Sequence, residues 1–292
     1  MNSKEFLLFI IFFIASISCL ILFSTNNLEF SKSNPGWNGT SQFFSDTDRH
    51  TTVEIYNLSQ LTNAENVTLL IIAPDNEFFP NQTVLYRDFL LRGNTIILAD
   101  DFGTGNSLLK GIGSHISLLR GILTSVDRAY NDGYTVVTYP ASEHPLLSGV
   151  DSLVLERSST LLGGEPLITS SLFSWVDRDE DKEITKKELL GKYTVMSGEK
   201  IGNGEIIVLS DPSIFINSMR NLENKYSNPI FIKNIIQLHP LLYIDQVNSR
   251  TSNAQSTNQV IEFIKSQKIF KIMIIGLMLV LIGLFFMRKK PE

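Results

Sequence analysis

Apolar positions along this chain form two long unbroken runs near its ends and a series of short runs between them. The short runs are five to seven residues long and alternate with stretches of helical spacing. They predict strands at 52–56, 67–73, 94–99, 134–139, 152–156, 192–197 and 205–210, and helices at 82–92, 106–110 and 229–238. Near-continuous Val/Ile/Leu runs such as TLLIIA and EIIVLS suit strands covered on both faces, as in a parallel sheet. The alternation predicts an α/β fold with a doubly wound, mostly parallel sheet.

The end runs cover residues 6–23 and 269–287. At about 1.5 Å per residue a helix of that length spans roughly 27 Å, close to the apolar thickness of a bilayer. Lys271 lies one turn from the start of the second run, where its side chain can reach the interface. Gly276 and Gly283 are tolerated in a helix that satisfies its own backbone. The first run reads as an anchor, with a signal peptide or a lipid anchor at Cys19 as alternatives. No small-x-small site follows Phe23, and LILF continues the apolar run past that cysteine.

Two spans place both termini on one side. Lys4 and Arg288–Lys290 point to the cytoplasm, although Lys265, Lys268 and Lys271 flank the opposite end of the second span. Four Asn-x-Ser/Thr triplets between the spans, at Asn38, Asn57, Asn66 and Asn81, favour an outward-facing, glycosylated domain. The expected organisation is a cytoplasmic N-terminus (1–5), a transmembrane helix or signal anchor (6–23) and an extracytoplasmic α/β domain (34–245). A polar tether (246–268), a second transmembrane helix (269–287) and a basic cytoplasmic tail (288–292) follow. The implied placement is a two-pass protein of the cell membrane, with the lipid bilayer and an unidentified membrane or surface protein as partners. Cys19 is the sole cysteine, so no internal disulfide exists and the domain is held by its core.

Four stretches carry a resemblance: NPGWNGTSQFF, LLIIAPDNEFF, GNTIILADDFGTGNSLL and GEIIVLSDPSIFIN. In this order they resemble the family called domain of unknown function 4350, over most of residues 34–240, and look like its archaeal, membrane-anchored branch. The resemblance implies the flavodoxin-like fold of class I glutamine amidotransferases without their catalytic residues. It also implies a neighbourhood with MoxR-type ATPases.

In an open α/β sheet, ligands bind beyond the carboxyl ends of the strands. The turns after the strands supply the ligand-binding candidates Asp75, Asp100, Asp101, Asn106, Asp211, Ser213 and Asn217, with Glu143 and His144 beside them. GTGNS resembles a phosphate-cradling turn at a helix start, but Asp100 and Asp101 beside it would repel phosphate. The competing reading is a helix start capped by Asn106, and in SDPSIFIN a cap from Ser210 or Asp211 followed by Pro212. The domain has no cysteine and no Gly-x-Ser-x-Gly, and its histidines (His50, His115, His144, His239) form no metal-binding pair, so no catalytic residue is assigned.

The sharpest local pattern is DRDEDKEITKKE, residues 177–188. Asp177, Asp179, Asp181, Glu183, Thr185 and Glu188 stand at positions 1, 3, 5, 7, 9 and 12, the ligand spacing of a calcium loop. Lys182 occupies the sixth position, where glycine normally permits the turn. The alternative is a solvated charge run in a hairpin. A net charge of -5 and no basic stripe argue against nucleic acid. The expected function is a non-catalytic binding or scaffolding module, stabilised by Ca2+. A carboxylate- and metal-dependent hydrolase and a domain serving an ATPase are the alternatives.

Overall fold

The computed structural model describes residues 27–47, 51–130, 132–220, 222 and 225–252, with single positions at Phe13, Ser16, Ile272 and Gly276. The chain splits into two units, and nearly all described residues belong to one of them, Asn27–Ser252.

Its elements run α1 (Ser41–Thr47), β1 (Thr52–Ile55), β2 (Val67–Ile72), α2 (Pro80–Leu91), β3 (Thr95–Ala99) and α3 (Asn106–Ile112). Then come β4 (Ser117–Leu119), β5 (Ile122–Ser125), β6 (Thr135–Pro140), β7 (Leu153–Glu156), β8 (Thr160–Leu162), β9 (Glu165–Ser170) and β10 (Ser174–Asp177). The unit closes with β11 (Thr194–Ile201), β12 (Gly204–Leu209), α4 (Asn217–Arg220), α5 (Asn228–Gln237) and β13 (Leu241–Asp245). All seven predicted strands and all three predicted helices overlap observed elements.

The main sheet has the order β1-β13-β2-β3-β12-β11-β9-β6-β7, with β8 on β11 and β4 on β8. From β1 to β12 the pairings are parallel. Every residue of β2 and β3 is buried, as two covered faces require. Leu70, Ile97, Ile207 and Ile244 face Phe43, Phe215, Phe231 and Ile235 on one side. Leu69, Ile96, Leu98 and Val208 face Tyr86, Phe89 and Leu108 on the other. The rings of Phe43 and Phe215 meet edge-on at 5.1 Å.

Beyond β12 every pairing is antiparallel. The expected flavodoxin-like, mostly parallel sheet therefore does not stand; the sheet is mixed and largely antiparallel. Parallel neighbours need a crossover of a dozen or more residues, usually a helix, and no α-helix lies between β6 and β12. Gly202, at φ +62°, makes the tight return from β11 into β12.

Among the described residues no helix is long and apolar enough to cross a membrane. Segments 6–23 and 269–287, on which the membrane expectation rested, lie outside the described residues apart from the four single positions. The expected pair of transmembrane helices and the two-pass, extracytoplasmic placement do not stand on this structure. Residues 1–5, 253–268 and 288–292, with His50, also lie outside the described residues. The start of the expected tether, 246–252, belongs to the folded unit. Ile72 N–H donates to Ser249 Oγ, Arg250 N–H to the Ala73 carbonyl, and Thr251 is fully buried.

Candidate functional site

Strands β2, β3 and β12 end side by side, so Asp75, Asp100, Asp101 and Asp211 share one edge of the sheet. Asp100, fully buried, folds the turn that follows β3. Its Oδ1 accepts from Phe102 N–H at 2.9 Å and its Oδ2 from Gly105 N–H at 2.6 Å. A Cβ on Gly105 would sit 2.7 Å from Leu98 Cδ2 and 3.0 Å from Asp100 Oδ2, so any larger residue there must displace one of those side chains. Burial raises the Asp100 pKa, against those two amides.

Asp211 does the same after β12. It accepts from Ser213 N–H at 2.7 Å and Glu156 N–H at 2.8 Å, locking the Pro212–Phe215 turn to the end of β7. Burial pushes its pKa up to about 7. Asp101 lies between them with one buried oxygen, Oδ1, that has no hydrogen-bond partner among the described residues. Burial, and then the charges of Asp211 and Asp100, push its pKa up to about 8.

The other strand-end candidates serve structure. Asp75 pairs with Arg250 at 3.1 Å, and the Arg250 guanidinium stacks 4.1 Å from the Phe102 ring. Asn106 does not cap its helix; it exchanges two hydrogen bonds with the Leu118 backbone and holds β4 in place. Ser213 contributes its amide to Asp211. Asn217 accepts from Gln42 N–H and donates to the Asn34 and Gly36 carbonyls and to Ser41 Oγ, tying α4 to the N-terminal segment. His144 forms part of its own turn, accepting from Leu146 N–H, while Glu143 stays exposed.

Residues missed from the sequence complete this edge. Asp245, fully buried at the end of β13, accepts from Tyr86 Oη, and Asn248 Nδ2 donates to the same phenol at 2.7 Å. Burial raises the pKa of Asp245 and that of Tyr86. The run LLYID (241–245) is the signal that could have revealed this strand and its terminal carboxylate.

The acidic loop lies elsewhere, beyond β10. Asp177 is fully buried; it accepts from Glu180 N–H at 2.7 Å, Lys182 N–H at 2.9 Å and Tyr134 Oη at 2.9 Å. Burial opposes its charge, but these donors together outweigh burial and hold its carboxyl below the ordinary range. Glu188, also buried, accepts from Arg178 N–H at 2.8 Å and Thr185 N–H at 3.0 Å. Positions 1 and 12 of the loop are therefore folded back on it. Oxygens of Asp177, Asp179 and Glu188 lie within 4.8 Å of one another, the sole such group among the described residues. Desolvation, then repulsion from Asp181, Glu188 and Asp177, raises the pKa of Asp179.

Asp181 and Glu183 stay outside that group; both are exposed, and Asp181 accepts from Glu183 N–H at 2.7 Å. Lys182 takes the left-handed conformation, φ +65°, that the sixth position of such a loop requires. Its ammonium reaches Asp132 at 2.8 Å and the face of Tyr134 at 4.7 Å. The histidines are scattered: His115 pairs with Glu199, His144 with Glu205, and His239 bonds Thr95 and Asn66. Of the four Asn-x-Ser/Thr asparagines, Asn57 caps a short turn, Asn38 accepts from Asn34, and Asn81 is exposed in the first turn of α2.

The profile described as "Domain of unknown function (DUF4350)" matches residues 32–227. No curated protein matches the chain. Among solved structures, similarity extends to "mmIFT52 N-terminal domain", at 12% identity and TM-score 0.46, covering 62% of this chain and 79% of that one. A beta-galactosidase from Bacillus circulans sp. alkalophilus gives 12% identity and TM-score 0.31, over 54% of this chain and 22% of that one. The cytoplasmic protein STM1381 from Salmonella typhimurium LT2 gives 9% identity and TM-score 0.37, over 69% and 87%.

Proposed function

The chain belongs to the DUF4350 family, and from that premise we propose that it is a non-catalytic binding or scaffolding module whose acidic loop is pinned by calcium. The observation that carries this reading is where the strand-end carboxylates go. Asp100 and Asp211 are taken up by backbone amides, and Asp75 by Arg250. Acid–base or metal chemistry needs carboxylates that converge on an open space, and here they close turns. We also read the chain as one of the family's archaeal branch, and the absence of cysteine between residues 27 and 252 fits a module without a thiol nucleophile.

Calcium takes six to eight oxygens, and its twelve-residue loop draws them from the positions that Asp177, Asp179, Asp181, Glu183, Thr185 and Glu188 occupy. Calorimetric titration of the full chain tests the ion. Heat below about 1 mM calcium, absent in Asp179→Ala, is expected; no heat at that concentration refutes it. The second reading, a metal-dependent hydrolase, draws on the unpartnered oxygen of Asp101 between Asp100 and Asp211. Manganese- or zinc-dependent ester hydrolysis abolished by Asp101→Asn would establish it over the module.

A further inference from the structure

On the antiparallel side of the sheet a cavity of about 500 Å³ opens between the β4–β5 turn, β8, β10 and the end of the acidic loop. Such a volume suits a small organic ligand. Arg120, Arg178 and Lys187 line it, and none of the three forms an ion pair with a described residue. In a chain of net charge -5 this concentration of unpaired cations is a local reversal of sign. The one carboxylate in the wall, Glu188, is already held by the amides of Arg178 and Thr185.

A second observation points inward. Thr160, 1% exposed, lines the same cavity, and its hydroxyl has no hydrogen-bond partner among the described residues. Buried hydroxyls are normally paired, so an orphan on a residue of the cavity wall is a donor left for a ligand acceptor to satisfy. The remaining wall is apolar, from Leu119, Val176 and the ring of Tyr193. Gly121, at φ +111°, lets the turn lie against β10; a Cβ there would stand 2.5 Å from Val176 Cγ1.

We propose that this cavity binds a small organic anion: a phosphate or carboxylate held by Arg120, Arg178 and Lys187, with Thr160 donating to it and an apolar body against Leu119 and Tyr193. This gives the binding module its ligand class and rests on that reading only in taking the ligand as bound and released unchanged. Titration of the full chain with phenyl phosphate, benzoate, inorganic phosphate and benzyl alcohol tests it, in EDTA and again with calcium, because Arg178 and Lys187 belong to the 177–188 loop.

Phenyl phosphate or benzoate is expected to bind, the tighter of the two assigning the headgroup. Both arginines are exposed, so Arg120→Gln/Arg178→Gln should keep the native melting profile and weaken binding at least ~10-fold. Thr160→Val should weaken it several-fold. Neither anion binding, benzyl alcohol binding equally well, inorganic phosphate matching phenyl phosphate, or unchanged affinity in the folded double variant would each overturn the proposal. Release of phosphate from phenyl phosphate would refute the non-catalytic reading and leave the binding site standing.

Discussion

The two halves of the sheet share one use of buried carboxylates and differ in where their cations gather. In the parallel half, from β1 to β12, the strand-end carboxylates Asp100, Asp211 and Asp245 are buried and bonded to their own turns or to Tyr86. In the antiparallel half the carboxylates of the 177–188 loop converge on one another, and cations line an open cavity. Both halves use buried carboxylates to close backbone, Asp177 and Glu188 included, but the second also lines a cavity with cations that form no ion pair with a described residue. At the edge that serves as a binding site in many open α/β sheets, Asp100 and Asp211 bond to their own turns and Asp101 keeps one unpartnered oxygen. Exposed Leu172, Phe173, Leu189 and Leu190 belong to the antiparallel side as well.

The largest test of this contrast is side-chain truncation. Phe231→Ala, in the core of the parallel half, should cost about 3–5 kcal/mol in urea unfolding. Leu189→Ala, 73% exposed in the antiparallel half, should change stability by no more than about 0.5 kcal/mol. Equal losses would erase the distinction. Next, Asn217→Ala strands several buried partners at once and should cost about 2–3 kcal/mol by the same measurement.

The pH response sharpens the comparison further. Asp101 and Asp211 are raised to about 8 and about 7, so between roughly pH 4 and pH 8 the folded state holds more protons than the unfolded one. Stability should therefore be highest at the acid end of that window and fall as pH rises through it. Asp101→Asn removes part of the slope; a gain of at least about 2 kcal/mol at pH 8, vanishing near pH 4, is expected from denaturant melts at both values. A parallel pair of curves for the two proteins would show that Asp101 does not titrate as its surroundings dictate. The smallest effect belongs to calcium. At ten times its dissociation constant the ion should add about 1.4 kcal/mol, seen as a raised Tm that Asp179→Ala abolishes.

Much of the parallel half could be read along the chain. Runs such as VTLLII and EIIVL announce strands covered on both faces, because burial on both sides removes the polar alternation. The acidic loop was equally legible, since its spacing is contained in twelve consecutive residues. The short strands β4, β5, β8 and β10 were not. Three or four residues carry too little periodicity to separate a strand from a loop. Asn106 departs from its local expectation for a related reason: asparagine suits a helix cap, but here its amide substitutes for a strand partner of Leu118, twelve residues on.

Local sequence determined the longer extended and helical segments of the parallel half, that no thiol nucleophile exists in the domain, and that six oxygen-bearing residues recur at calcium-loop spacing. These depend on dihedral preference, burial and composition, which neighbouring residues settle among themselves. Tertiary structure alone decided that strands beyond β12 pair antiparallel, that Asp100 and Asp211 turn inward to backbone amides, and that Arg120, Thr160 and Lys187 border one cavity. Several of those outcomes join residues far apart in the chain, as Asp211 meets the amide of Glu156. Only the packing that brings them together determines whether a charge meets a donor, another charge or open space.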